Sequence, residues 1–234
     1  MVFIMKTARK KQLHENIREE IKSIAWQQVT ESSASSLSLG AIARQLGVTT
    51  PALYRYFPSR ADLVTALIHD ANASFIEALE GARDGVEEDD HVGRFRNLCL
   101  GYHTWAVGHL QEYSLLFGNP VPGYQMDPQV GELADRSFRV VLEVVDKAVE
   151  AGRIHFSFEQ VSPSIEMRKS LETKPTQGKA YSARVMYIAL VSWSFMHGVT
   201  SLELSGRYPA QLKAVTGAFI RLEVERFINY IGLT

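Results

Sequence analysis

The sequence predicts an all-α protein: an N-terminal three-helix unit followed by a larger helical domain. Three observations carry this. Apolar residues recur at i, i+3, i+4 and i+7 along most of the 234 residues, the signature of helices with one buried face. Two such stretches near the N-terminus are very short and meet at a glycine. Glycine- and proline-rich breaks then separate the longer stripes that follow.

From Lys11 to Thr30, the positions Leu13, Ile17, Ile21, Ile24 and Gln28 step at helical spacing, and Ala25 and Val29 widen the stripe. Lys6, Arg9, Lys10 and Lys11 precede it as a basic tail, suited to a phosphate backbone or simply solvated. The polar run from Glu31 to Ser36 reads as a loop. Ser38 then caps a helix whose buried positions are Leu39, Ile42, Ala43 and Leu46. Gly47 ends it, because a left-handed backbone costs glycine little, and Val48 is expected to be buried under the corner. Thr49 or Thr50 caps the next helix, with Pro51 in its first turn. This is helix-turn-helix grammar.

In that second helix Leu53 and Phe57 point inward and leave Thr50, Ala52, Tyr54, Arg55 and Tyr56 for other faces. A helix that enters a major groove needs small residues for close approach, hydroxyls for phosphates or base edges, and arginine for guanine or phosphate. An ordinary helical hairpin with its tyrosines in the core has the same spacing. Pro58 stops the helix, and Ser59 with Asp62 forms a capping-box-like start for a connecting helix over about 59–82. Arg60 sits in its first turn, where a cation opposes the helix dipole, so it is expected to face an anion such as a phosphate.

Gly81 to Asp90 reads as an acidic loop, and Phe95 to Phe117 as one aromatic helix holding Tyr102, His103, Trp105 and His109. Gly118 to Pro128 is a break, and a helix from Pro128 stops at Gly152. Residues 153–178 read as a loop with at most a short helix. Two helices close the chain, Lys179 to Leu204 and Pro209 to Tyr230. The last has two apolar stripes, Leu212, Val215, Phe219, Leu222 and Ile220, Val224, Phe227, Ile231. Such helices need several neighbours, supplied either by a four-helix dimer interface over about 179–232 or within one subunit.

Composition narrows the function classes. The formal net charge is -1, yet residues 1–70 carry 9 Lys or Arg against 6 Asp or Glu (+3), and residues 71–234 carry 16 against 20 (-4). A basic front end suits nucleic acid. The lone cysteine, Cys99, between Leu98 and Leu100, reads as a small core residue in a reducing compartment. The start, MVFIMKTARKK, lacks the order of a signal peptide, and Val185 to Met196 is short for a bilayer span, so no membrane and a cytoplasmic location are expected. His103 and His109 lie about 240° apart on a helix, no dense His/Cys/carboxylate set occurs, and no GxSxG, HExxH, Walker or GxGxxG pattern is present. No metal, cofactor or enzymatic activity is therefore expected.

The stretch LGVTTPALYRYFPSRADLV, after a capped helix and a basic amphipathic one, resembles the DNA-binding domain of the TetR family of bacterial transcriptional regulators. The similarity covers about residues 10–70. Ala43, Leu46, Gly47 and Val48 match the turn, Leu53, Tyr54 and Phe57 the recognition helix, and Arg60 with Leu63 the next helix; Tyr56 stands where many members have histidine. WSFMHG, Trp193 to Gly198, resembles the Trp-His-Gly signature of a TetR-type regulatory domain, with Met196 in place of tryptophan.

The resemblance implies a helix-turn-helix domain over 1–60 and an all-helical, ligand-binding, dimerising domain over 61–234. It implies a homodimeric repressor on double-stranded operator DNA, released by a small, apolar or aromatic effector. An activator of the same fold, or a helical ligand-binding protein that never uses DNA, are the alternatives. The expected DNA contacts are Lys11, Thr49, Thr50, Pro51, Ala52, Tyr54, Arg55, Tyr56 and Arg60. The expected effector contacts are Tyr102, Trp105, Phe117, Phe138 and Trp193, with His103 or His197 as polar partner, unless these aromatics only fill the core.

Overall fold

A computed structural model of the protein describes residues 2–32, 34–125, 128–157, 163–172 and 179–234. Its helices are α1 (Val2–Glu31), α2 (Leu39–Gln45), α3 (Thr50–Leu53), α4 (Arg60–Asp84), α5 (His91–Gly108), α6 (Leu110–Phe117), α7 (Pro128–Glu150), α8 (Ile165–Leu171), α9 (Ala183–Leu204) and α10 (Thr216–Tyr230). Packing groups them into two units: Met1–Ala73 with Gln111–Leu133, and Ser74–Leu110 with Ala134–Thr234. The second unit is built from helices joined by turns, and an antiparallel bridge links Ile154 to Leu233.

The first unit closes on a single apolar core. Helix α1 supplies Ile21, Ile24, Ala25 and Val29, α2 supplies Leu39, Ile42 and Ala43, the α3 segment supplies Leu53 and Phe57, and α4 supplies Leu63, Val64, Leu67 and Ile68. Val121 and Val130 join them from the inserted segment. The Ser38 hydroxyl accepts the Ala41 N–H at 3.3 Å, so α2 starts at the expected cap. Gly47 takes φ 68° and the Val48 N–H reaches back to the Ala43 carbonyl at 3.0 Å. That bond ends the helix as expected. Val48 itself is 45% exposed and not buried under the corner. Its usual packing partner one turn back is Ala43, which offers only a methyl group.

Several helix boundaries depart from the sequence expectation. Helix α1 begins at Val2, since no glycine or proline interrupts residues 2–10. Helix α4 runs through Gly81 to Asp84, one exposed glycine costing a packed helix about 1 kcal/mol. The expected single helix from Phe95 to Phe117 is two helices, starting earlier at His91 and broken at His109, whose φ of -131° and ψ of 52° are not helical. Its ring bonds the Trp105 carbonyl at 2.9 Å and stacks on the Trp105 ring. Helix α9 starts at Ala183, where Ser182 caps it through the Val185 N–H. A 3₁₀ turn at Ala210–Leu212 precedes α10, so that helix starts at Thr216 and not near Pro209. Parts of the expected loops, Ser33, residues 126–127, 158–162 and 173–178, lie outside the described residues, as do the side chains of residues 2–10.

In the second unit α9 and α10 both pack on α5, with the Phe227 ring stacked on Phe95 and on Phe195. Arg96 of α5 forms a two-pronged ion pair with Glu225 of α10. The shared hydrogen bonds hold the Glu225 carboxyl below, and the Arg96 guanidinium above, its ordinary range. Helix α9 corrects the short reading of Val185 to Met196: over 22 residues it is long and apolar enough to cross a bilayer by length and composition, with a third of its most apolar window buried. Core helices meet the same test.

Candidate nucleic-acid interface and effector core

With Leu53 and Phe57 each 1% exposed, the α3 segment is pinned to the first unit by its inner side alone. Its outer side carries Thr49, Pro51, Tyr54 and Arg55, all exposed, while Thr50 and Ala52 are half-buried. Lys11 is exposed on α1. Thr49 takes the cap position with extended backbone, but its hydroxyl makes no capping bond. Tyr56 is half-buried instead of outward, its ring 4.7 Å from that of His14. Arg18 of α1 lies 4.2 Å above the Phe57 ring and donates to the Tyr56 carbonyl, which fixes the end of the segment.

Arg60 does not follow its expected outward role. Its guanidinium donates to the carbonyls of Leu37 at 3.1 Å, Ala34 at 2.8 Å, Ser35 at 3.0 Å and Pro122 at 3.4 Å. Four partial negative charges answer its unfavourable place at the helix N-terminus, the task the sequence reading gave to a phosphate. Further along the same unit, Lys22 is bound to Asp70 at 2.5 Å and Glu19 at 2.8 Å. Burial alone would lower its pKa, and the two carboxylates outweigh this and raise it.

In the second unit, four of the expected effector contacts come together. Trp193 meets the rings of Tyr102 and Phe138 at 5.7 Å, both edge-on. Phe75 of α4, not among the expected effector contacts, lies against three of them. Its ring is 4.6 Å from Trp105, 5.2 Å from Tyr102 and 6.2 Å from Trp193. Such pairs favour offset and edge contacts because the ring faces are electron-rich and the edges are not. The Trp105 N–H finds Ser74, also on α4, at 3.0 Å. Phe117 belongs elsewhere, in the first unit, where its ring meets Tyr113.

Two polar pairs tie α5 to α9 beside these rings. The Tyr102 hydroxyl is 2.9 Å from His197 Nδ1, and His103 Nε2 is 2.5 Å from Glu203. His197 therefore pairs with Tyr102, and Glu203 with His103. Burial lowers the His197 pKa, so the ring is held neutral and Nδ1 can accept from the tyrosine. Cys99 is buried, and burial pushes its thiol pKa far up. That fits the small core residue expected.

Comparison with known proteins places the chain in a family. The bacterial regulatory proteins of the tetR family match over residues 23–67, and the tetracyclin repressor-like C-terminal domain over residues 95–227, more than half the chain. The chain belongs to the TetR family. An HTH-type transcriptional regulator of Mycobacterium tuberculosis is 28% identical over 208 residues, 88% of each chain. The crystal structure of a regulatory protein, 29% identical, superposes with a TM-score of 0.75 over 94% of this chain and 98% of that one. A TetR variant from Acinetobacter baumannii, solved in complex with minocycline, shares the fold at 14% identity with a TM-score of 0.50 over 89% of this chain and 92% of that one. TetR-family proteins are helix-turn-helix transcriptional regulators, not a family of enzymes, and they bind operator DNA, dimerise and respond to small molecules.

Within this TetR-family protein, sequence reasoning missed Phe75, Ser74 and the inserted residues Val121 and Tyr124. Phe75 could have been found as the one large aromatic among the small and aliphatic positions of the α4 stripe before Ile76. Nothing in the sequence joins 121–124 to the helix-turn-helix.

Proposed function

We propose that this protein is a homodimeric cytoplasmic repressor, with residues 1–60 reading double-stranded operator DNA and residues 61–234 binding an effector and pairing the subunits. The observation that carries the reading is the division of α3. Its inner side chains close the core, and Thr49, Pro51, Tyr54 and Arg55 stand outside with hydroxyls and a guanidinium toward solvent. Two such segments related by a two-fold axis would enter successive major grooves of a pseudo-palindrome. Thr50 and Ala52 allow close approach, and Lys11 adds backbone attraction.

The effector is a small apolar or aromatic molecule that enters among Phe75, Tyr102, Trp105, Phe138 and Trp193, with His103 or His197 as polar contact. Trp193 and Phe138 are half-exposed, whereas Tyr102 and Trp105 are buried, which supports entry from the Trp193 side. The regulatory half is of the Trp-His-Gly type, with Met196 buried in the core where the signature has tryptophan. Dimerisation through α9 and α10 is supported by Leu222 and Val215, 65% and 49% exposed on the outward stripe of the closing segment. Release follows from differential affinity: an effector that favours a dimer with misplaced reading heads must weaken DNA binding, and DNA must weaken effector binding equally.

Selection of bound fragments from genomic DNA, then titration of the enriched duplex at fixed salt, tests the reading. Arg55→Ala and Tyr54→Ala are each expected to weaken binding by about tenfold. Unchanged affinity in both would overturn the contact assignment, and enrichment of no fragment would favour a ligand-binding protein that does not use DNA.

A further inference from the structure

The four carbonyls around Arg60 come from two stretches far apart in sequence. Ala34, Ser35 and Leu37 belong to the link between α1 and α2, so they set where the helix-turn-helix begins. Pro122 belongs to the segment between α6 and α7, inserted into the first unit from the middle of the chain. That segment is built to stay there. Val121 is buried in the same apolar core as Leu53 and Phe57, Gly123 turns the chain at φ 74°, and the Tyr124 N–H bonds the Val121 carbonyl at 3.0 Å. The Tyr124 hydroxyl bonds Thr65 of α4 at 3.0 Å, just over one turn beyond Arg60.

From this we infer that Arg60 is a positioning residue for DNA recognition: it clamps the strap Gly118–Gln125 to the link Ala34–Leu37, and the strap thereby sets the placement of α2 and α3. A guanidinium suits the task because its planar fork presents several N–H groups at fixed angles, whereas an ammonium is a single point. The strap follows α6 and precedes α7, so a displacement of either helix reaches the reading head through this clamp. The inference rests on the proposed DNA-reading role and adds the element that holds the reader in register.

Full-length Arg60→Gln, Arg60→Lys, Tyr124→Phe and the Arg60→Gln/Tyr124→Phe double variant test it, each with a thermal melt to establish folding. On the DNA enriched by the parent protein, Arg60→Gln is expected to weaken binding about tenfold with an unchanged salt slope, and Arg60→Lys less. Tyr124→Phe, which touches no expected DNA contact, should weaken binding about threefold in the parent and add nothing in the Arg60→Gln background. A salt slope lower by about 0.9 in Arg60→Gln would make it a phosphate contact and overturn the inference, as would a Tyr124→Phe effect of equal size in both backgrounds. Amide exchange without DNA separates this failure from failure of the DNA-reading role. Tyr124→Phe should speed exchange over residues 39–57 in the parent and not in Arg60→Gln; unchanged exchange in the parent overturns the clamp whatever the protein binds.

Discussion

The reading head and the effector core use aromatic residues in opposite ways. In the head, the core-forming ring and the ring proposed to read DNA fall on different sides of one short segment, α3 and the turn after it: Phe57 is buried while Tyr54, three residues earlier, is 46% exposed. In the proposed effector core the same rings would serve both purposes, because Tyr102, Trp105 and Phe75 are buried and are also the surfaces that an apolar effector would meet. On the proposed reading, the head could therefore change its sequence preference without losing its fold. A core that binds in this way could not change its ligand without repacking.

The widest separation is expected where a ring is deleted from each kind of place. Phe57→Ala should destabilise the protein by about 3–5 kcal/mol, and Tyr54→Ala by less than about 0.5 kcal/mol while weakening operator binding about tenfold. Denaturant melts beside DNA titrations would show this, and a comparable stability loss in both variants would break the division of roles. In the effector core no such separation should exist. Phe75→Ala is expected to cost about 3–5 kcal/mol and also to change which aromatic probes quench tryptophan fluorescence, since Phe75 touches Trp105 and Trp193 together.

Smaller effects should follow from the backbone devices that place the α3 face. Ser38→Ala removes the acceptor for the Ala41 N–H and should cost about 1 kcal/mol. Gly47→Ala should cost a similar 1–2 kcal/mol in strain alone, because an added Cβ meets nothing within 4 Å but φ stays at 68°. Denaturant midpoints measure both. If Gly47→Ala were neutral, the turn would not need its left-handed residue.

These devices were legible in the sequence because each is local. A serine before an apolar period, a glycine after it and a Ser59–Asp62 pair are written within four residues of the bonds they make, and the Ser59 hydroxyl does accept the Asp62 N–H at 3.1 Å. The fold class was legible for the same reason. What escaped was nonlocal. The Arg60 side chain bonds backbone carbonyls 23 and 62 residues away, and carbonyls carry no sequence signature. The outward turn of Val48, the pairing of His197 with Tyr102 and the place of Phe117 beside Tyr113 were equally set by which helices met. The break at His109 followed a glycine, Gly108, yet several other glycines stay within helices, so composition alone could not choose among them.

The smallest effect tests the polar side of the effector core. His197 is held neutral by burial, so its folded pKa lies below the ordinary 6.5 that it regains on unfolding. Below that value the unfolded chain binds the proton more readily than the folded one, and stability must fall as pH drops from 6.5 through the folded pKa. Above 6.5 this contribution is fully present. Protonation also turns Nδ1 from acceptor to donor and reverses the sense of its bond with Tyr102. Between pH 7.5 and 5.5 the parent should therefore lose more Tm than His197→Gln, which keeps a polar partner for Tyr102 but does not titrate. The carboxylates with lowered pKa values, Glu88, Asp84 and Glu225, begin to lose stability only below their ordinary range near 4 and leave this window clear. Equal Tm losses in the two proteins would mean that His197 contributes nothing to the pH dependence, and that the neutral Tyr102 pair is not what holds α5 to α9 there.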